Sequence, residues 1–159
     1  MNESLKYVGF WKRVIASLVD AALIGLIIFP LLIGEYGFDY FESDEIFQPL
    51  GPFDFILNWI VPFIIYMLFW NYYQSTPGKM IFKAKIVDSK TGDKPSIAQF
   101  VIRYFSYIIS LLLLFLGYIW VAFDKRKQGF HDKLAKTVVV QPKILEPEPV
   151  IFSESSEEE

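Results

Sequence analysis

The sequence contains no cysteine and only one histidine. Without cysteine the chain can form neither disulfides nor thiolate metal sites. A lone His is more typical of a structural hydrogen bond than of a zinc site, because zinc needs three or four protein ligands. We find no pairing of a nucleophile with a base, so we expect neither an enzyme nor a cofactor. A nucleic-acid partner is not expected either.

Apolar and aromatic residues, by contrast, are abundant. Of the 159 residues, 53% are apolar and 18% are Phe, Tyr or Trp, and the mean hydropathy is +0.36. A soluble domain of this size rarely carries so much apolar surface, whereas a bilayer buries it and also holds aromatic rings at its two interfaces. The composition therefore predicts an integral membrane protein with the lipid bilayer as its surroundings.

Three apolar segments lie at residues 14–33, 55–73 and 104–123. About 20 helical residues cover roughly 30 Å, the thickness of the hydrocarbon layer. The first segment follows Lys12 and Arg13 and has no cleavage site after it, so we interpret it as a retained span and not as a signal peptide. The predicted fold is an all-α membrane protein, a small helical bundle with two transmembrane helices and a third segment that either re-enters or spans.

Charged residues are segregated along the chain. The first two segments are separated by acidic residues without Lys or Arg, namely Glu35, Asp39, Glu42, Asp44, Glu45 and Asp54. The second and third are separated by basic residues, namely Lys79, Lys83, Lys85, Lys90, Lys94 and Arg103. Because cytoplasmic loops collect Lys and Arg, we expect the amino terminus and the basic loop inside and the acidic loop outside, in the plasma membrane.

The third segment can be placed in two ways. A complete crossing would put the bases that follow it, such as Lys125 and Arg126, outside. Residues 80–88 and 137–140 both resemble short strands, and a two-stranded cytoplasmic pairing would need them on one side of the membrane. We therefore favour a helix over residues 96–124 that enters, bends near Gly117 and returns. Ser96 and Gln99 predict a capping box at its start. The alternative is an ordinary third span with an external carboxyl end.

Arg13 and Asp20 are seven residues apart and so share one face of a helix, with Ser17 between them. An Asp within the hydrocarbon costs about 3 kcal/mol and should be protonated, paired or next to water. It could form a cation or proton site. It could equally form a structural hydrogen bond or an ion pair with Arg13 or Arg103.

Other polar features have plainer explanations. His131 and Asp132 follow Gly129 and Phe130 in a predicted loop, and Gly78 with Lys79 lacks the rest of a phosphate-binding motif. Aromatic residues near segment ends are expected to anchor the chain at the interfaces, namely Trp11, Trp59, Trp70, Tyr72, Tyr73 and Trp120. Residues 1–141 form the predicted membrane domain, and residues 142–159 form a disordered acidic tail.

Three stretches together resemble the RDD family of membrane proteins, named for one arginine and two aspartates. They are Tyr7-Val8-Gly9-Phe10-Trp11-Lys12-Arg13 with Asp20, Thr76-Pro77-Gly78-Lys79 with Lys85-Ile86-Val87-Asp88, and Asp124 to Ala135 with Thr137-Val138-Val139-Val140. By position the resemblance implies that Arg13 and Asp20 are the family arginine and first aspartate. The second aspartate is either Asp124 or Asp132. The resemblance implies no settled activity.

Two functions follow as hypotheses. The first is transport of a small cation or proton through Asp20, as a homo-oligomer, because two or three helices cannot enclose a pathway alone. The second is a scaffold or accessory subunit with a membrane-protein partner, in which Arg13, Asp20 and the His131–Asp132 pair are structural. The candidate functional residues are Arg13, Asp20, Asp124, His131 and Asp132.

Overall fold

The structure is a computed structural model that describes residues 5–38, 40, 51–112 and 116–143, with the side chains of all of these except residues 111–118. It is mostly helical and has one small sheet. The helices are α1 (Phe10–Tyr36), α2 (Pro52–Phe55), α3 (Val61–Tyr73), α4 (Pro77–Ile81), α5 (Ile97–Leu112), α6 (Leu116–Phe123) and α7 (Phe130–Leu134). The strands are β1 (Leu5–Tyr7), β2 (Lys85–Asp88) and β3 (Thr137–Pro142).

Helix α1 contains the whole first apolar segment. It begins after Gly9 and runs for 27 residues with Pro30 inside it. It ends at Gly37, whose φ of 73° is a left-handed value that glycine adopts without strain. The N–H of Gly37 donates to the Ile33 carbonyl at 2.9 Å and so satisfies one of the last carbonyls of the helix.

The second apolar segment is also helical, but its helix changes character along its length. Between α2 and α3 lies a π-helical turn, Ile56–Ile60. Pro62 lies two residues after this turn and has no N–H for the carbonyl one turn earlier, and a wider turn is one way to accommodate that loss. Helix α3 ends at Gln74, which has a left-handed φ of 54°. Thr76 then caps α4, its hydroxyl accepting from the Lys79 N–H at 3.4 Å.

Two stretches, Phe10–Tyr36 and Pro52–Ile81, are long and apolar enough to cross a membrane. Both stretches are strongly apolar, yet of the 18 most apolar consecutive residues in each, only 22% and 17% are buried inside the protein. In the core helix of a soluble protein that apolar surface would be covered. Here most of it faces outward, as expected of helices surrounded by lipid.

The predicted pairing of the two short strands is confirmed. β2 pairs with β3 antiparallel, with Ile86 opposite Val139 and Val87 opposite Val138. The sheet has a third strand that the sequence did not predict, because β1 pairs with the other edge of β3 and places Lys6 opposite Gln141. The strand predicted over residues 80–88 is too long, since residues 80–81 end helix α4 and the strand begins only at Lys85.

The third apolar segment forms two helices, α5 and α6, which contact each other. The predicted capping box is confirmed, because the Ser96 N–H donates to Gln99 Oε1 at 2.8 Å and the Gln99 N–H donates to Ser96 Oγ at 3.3 Å. Gly117, where we predicted the bend, lies inside α6. Residues 113–115, which join the two helices, lie outside the described residues, as do most of the acidic loop and the predicted tail from residue 144 onward.

A hydrophobic core lies where the sheet meets α3 and α5. Its buried members are Val8, Trp70, Ala84, Ile86, Phe100 and Val139. Trp70 was predicted to anchor the chain at the membrane interface, and this prediction is wrong because its side chain is 1% exposed. The expected exposure does hold for Trp11 and Tyr72, each 74% exposed. The core fixes the sheet against the ends of the helices, which is where the charged residues gather.

Candidate functional site

Asp132 is the centre of a buried group of charges. Its carboxylate, which is fully buried, forms ion pairs with Arg13 from α1 and Arg103 from α5. It also accepts a hydrogen bond from the Gly129 N–H at 2.9 Å. The residue sits in the first turn of α7, so the short helix that the sequence presented as a loop holds the carboxylate between two longer helices.

The two arginines make further bonds that tie this group to the sheet. Arg13 donates to the backbone carbonyls of Val8 at 3.1 Å and Lys127 at 2.7 Å. Arg103 donates to the Thr137 hydroxyl at 2.6 Å and lies 5.7 Å from the Trp70 ring. The planar guanidinium group can serve several acceptors at once, which suits it to a buried position of this kind.

The Asp132 carboxyl is ionised across the ordinary pH range. Burial opposes ionisation, but the nearby Arg103 and Arg13 outweigh it and hold the pKa of Asp132 well below its usual range. His131 shows the reverse balance. Burial lowers the pKa of its imidazole to about 3, and the attraction of Asp132 offsets only part of that effect. The imidazole is therefore neutral and stacks on the Tyr107 ring with 4.1 Å between centroids.

Of the alternatives left open for Asp20, the structure shows the hydrogen bond between helices and not an ion pair with an arginine. Its two carboxylate oxygens accept from the Thr76 hydroxyl at 2.5 Å and from the Gly78 N–H at 2.7 Å. Arg13 and Arg103, the two partners we considered, are both engaged by Asp132. Asp20 therefore reaches from α1 to the first turn of α4 and satisfies an N–H group that the short helix leaves open.

The contact between α1 and α4 is close enough to require glycine. A Cβ atom at Gly78 would lie 2.0 Å from the Ala16 carbonyl oxygen. The small side chains of Ala16 and Ser17 on this face of α1 allow another element to approach closely. The close approach brings the N–H of Gly78 within reach of the Asp20 carboxylate.

Asp124 lies apart from the buried charges. It is half-buried after α6, pairs with Lys133 at 2.6 Å and accepts from the N–H groups of Arg126 and Gln128 at 3.0 and 3.1 Å. The hydrogen bond from Lys133 is the main reason that the pKa of Asp124 lies below its usual value. Asp124 therefore organises the turn before α7. Of the two aspartates between which the sequence left the choice open, Asp132 is the one in contact with Arg13.

Two cavities adjoin this group. The first, which we call the Asp20 cavity, has a volume of about 290 Å³ and is lined by Ser17, Asp20, Tyr66, Trp70, Lys79, Tyr104, Tyr107 and Ile108. The second, which we call the Arg13 cavity, has a volume of about 360 Å³ and is lined by Phe10, Arg13, Val14, Ser17, Leu18, Lys79, Tyr107, Ile119, Val121 and His131. Ser17, Lys79 and Tyr107 line both and so form the wall between them.

Lys79 is the residue of this site that our sequence reasoning missed. The sequence analysis named it as a base of the cytoplasmic loop and as part of a family stretch but not as a site residue, whereas it is 6% exposed and lines both cavities. The signal that could have identified it is Thr76-Pro77, since a capping Thr followed by Pro begins a helix and fixes the direction of the next side chains. Within the described residues, three buried basic side chains of this site (Arg13, Lys79, Arg103) lie near two buried carboxylates (Asp20, Asp132).

The chain resembles known proteins along most of its length. A profile of the RDD family matches residues 7–136. An uncharacterized protein of Rickettsia prowazekii is 27% identical, over 89% of this chain and 99% of its own. The uncharacterized membrane protein YteJ of Bacillus subtilis is 32% identical, over 87% of this chain and 83% of its own. The uncharacterized protein YxaI of the same organism is 28% identical, over 85% and 97%. No solved structure matches.

Proposed function

This chain belongs to the RDD family of membrane proteins, and from that premise we propose that it transports a small ion, with Asp20 as the residue that the ion meets. The observation that carries the proposal is the Asp20 cavity, a space of about 290 Å³ between helices of the two apolar stretches and α5. A carboxylate in such a position is costly unless it serves the fold or an ion.

The proton is the ion that the charges favour. Lys79 lines the same cavity, and in its protonated form it would repel a metal cation. The described residues also contain no group of three or more His, Asp or Glu side chains that could hold a metal ion. A proton needs no coordination shell, and the cavity presents Asp20, Ser17 and Tyr66 as groups that can accept and donate it.

We propose that the charged group faces the cytoplasm. Each strand of the sheet precedes or follows an apolar segment, β1 before α1, β2 before α5 and β3 after α6. If the two long apolar stretches each cross once, a single sheet can hold all three strands only when the third segment returns to the side from which it entered. The bases that flank the sheet favour the cytoplasm as that side.

We also propose that the protein acts as a homo-oligomer in the plasma membrane. Two crossings and a re-entrant pair of helices offer few walls for a pathway. Apolar side chains on α1 face outward along its length, for example Leu18 at 65% and Leu26 at 73% exposure. They can meet either lipid or a second copy.

Reconstitution tests the proposal. The purified chain is placed in liposomes with a pH-sensitive dye inside, and proton flux is measured under an imposed gradient. Asp20→Asn keeps the shape and an oxygen that can accept from Gly78, but it cannot carry the proton, so flux should fall to the level of empty vesicles. Asp54→Asn is the matched control, because Asp54 is equally buried but bonds to Tyr40 and Asn58, away from the cavity.

The accessory-subunit function is favoured by one specific observation. Both oxygens of Asp20 are already used in hydrogen bonds between α1 and α4, as a purely structural residue would use them. On that account the native protein gives no flux above empty vesicles, and Asp20→Asn lowers only its thermal stability in detergent. That result would replace transport by the structural function.

A further inference from the structure

We propose that the Arg13 cavity binds the anionic headgroup of a membrane lipid, held by Lys79 and Arg13, with an acyl chain leaving between α1 and α6. The inference concerns binding and holds whether or not the protein transports an ion.

The buried charged groups around Lys79 are not evenly paired. Arg13 and Arg103 share the carboxylate of Asp132, and Asp20 is engaged by Thr76 and Gly78. Within the described residues, no hydrogen bond or ion pair is formed by the Lys79 ammonium group, although the side chain is more than nine-tenths buried. His131 is neutral and adds no charge. Burial disfavours the charged form of an amino group that has no hydrogen-bonded counter-charge, so an anion beside Lys79 would stabilise the protonated side chain and the folded protein.

The lining of the Arg13 cavity combines polar and apolar side chains. The polar part of the lining consists of Arg13, Ser17, Lys79, Tyr107 and His131. The remainder is apolar and consists of Phe10, Val14, Leu18, Ile119 and Val121. A free inorganic anion would have no use for the apolar part, whereas a lipid has both an oxyanion and a hydrocarbon chain.

The Arg13 cavity opens toward the outer surface of the helices. Leu18 of α1 and Ile119 of α6 line it and are also 65% and 44% exposed, so the apolar part reaches the outer surface of the helices. α1 is one of the two membrane-spanning stretches, and that surface therefore faces lipid. A lipid could enter sideways, with its headgroup at the depth of Arg13 near the start of the span. Basic groups at that depth are the usual partners of anionic headgroups.

Native mass spectrometry of the full chain in a neutral detergent tests the inference. Phosphatidylglycerol and phosphatidylcholine with identical acyl chains are added at equal concentration, and the bound lipid is counted. We expect a preference of about fivefold for the anionic lipid, the usual contribution of one basic side chain near a headgroup. Equal binding of the two lipids would overturn the inference, and this comparison needs no variant.

Two variants locate the site. Lys79→Met keeps the length of the side chain without its charge and should abolish the preference. Lys90→Gln, at an exposed base in the turn after β2, should leave it unchanged. A preference that survives in Lys79→Met would place the lipid elsewhere and refute the assignment.

Thermal unfolding separates the lipid from a free anion. Phosphatidylglycerol should raise the melting temperature of the native chain more than phosphatidylcholine does, and it should lose that advantage with Lys79→Met. Inorganic phosphate should give little protection, because it lacks the chain that fills the apolar part. Protection by phosphate equal to that by phosphatidylglycerol would show a soluble anion as the ligand and contradict the lipid assignment.

Discussion

At the scale of single residues, the buried charges divide into two sets with different partners. Asp132 holds Arg13 and Arg103, and Asp20 holds the start of α4. Removing one partner from a buried ion pair leaves an uncompensated charge, which costs far more than losing a pair in water. The residues of the first set should therefore affect stability much more than their surface counterparts do.

Asp132→Asn is expected to destabilise the fold by about 3–5 kcal/mol, because it leaves two buried arginines without their carboxylate. Asp124→Asn is the matched control. It removes a pair with Lys133 whose side chain is 42% exposed, so its effect should be about 0.2–1 kcal/mol. Unfolding in mixed micelles with increasing dodecyl sulfate measures both. An equal decrease in the free energy of unfolding for the two variants would show that burial does not increase the contribution of Asp132 to stability.

His131 should make the stability depend on pH. The folded protein keeps the imidazole neutral down to a pH of about 3, whereas in the unfolded chain it takes up a proton near its ordinary pKa. The unfolded state therefore binds more protons between these values, and stability falls as the pH is lowered. The slope is about 1.4 kcal/mol per pH unit.

The variant His131→Gln is expected to remove this dependence between pH 6.5 and 5, where few carboxylates change charge. Melting temperatures of the native chain and the variant, measured across that range, should converge as the pH falls. Curves that stay parallel would contradict a buried neutral imidazole.

At the scale of elements, the packing of α4 on α1 depends on the absence of a side chain at Gly78. A Cβ there would meet the Ala16 carbonyl at 2.0 Å, and carbonyl oxygens in a helix cannot move aside. Gly78→Ala should lower the free energy of unfolding by at least about 1–3 kcal/mol, the range typical of overpacking. It should also separate Asp20 from the N–H group it accepts from.

Gly34→Ala provides the control for this prediction. Gly34 lies inside α1 with nothing within 4 Å of the Cβ position, so alanine should stabilise the helix by up to about 1 kcal/mol. Thermal unfolding in detergent gives both values. A Gly78→Ala protein as stable as the native chain would mean that the two helices do not approach as described.

The elements differ in how far the sequence predicts them. The apolar runs and the Ser96–Gln99 capping box depend on residues close together in the chain, so the sequence pattern alone was sufficient to predict them. The strand β1 is only three residues long and has no alternating pattern, so pairing with β3 defines it. Likewise residues 80–84 alternate like a strand, but the cap at Thr76 begins a helix that overrides the pattern.

The site was less predictable than the elements because its contacts join distant parts of the chain. Arg13 and Asp132 are 119 residues apart, and Asp20 and Gly78 are 58 apart. A helical spacing of seven residues placed Arg13 and Asp20 on one face, and a link between them was one of the alternatives we considered. The fold instead gives each a partner from a different segment. Sequence spacing shows which residues share a face and not what the opposite face presents.

At the scale of the whole molecule, the sheet constrains how the chain sits in the membrane. It joins strands from before α1, before α5 and after α7, and we therefore propose that these three regions lie on one side of the membrane. The Arg13 and Arg103 ion pairs with Asp132 join the same regions a second time. An apolar segment that enters and returns reconciles these contacts with the distribution of Lys and Arg.

Labelling of single cysteines in intact bacterial cells tests this arrangement most directly, because the native chain has no cysteine to remove. Cysteine replaces Phe38, Lys90 or Lys143, all exposed and located after α1, after β2 and after β3. We expect an impermeant maleimide to label position 38 from outside and to reach positions 90 and 143 only after the membrane is permeabilised. Labelling of position 143 in intact cells, with position 90 protected, would contradict this arrangement.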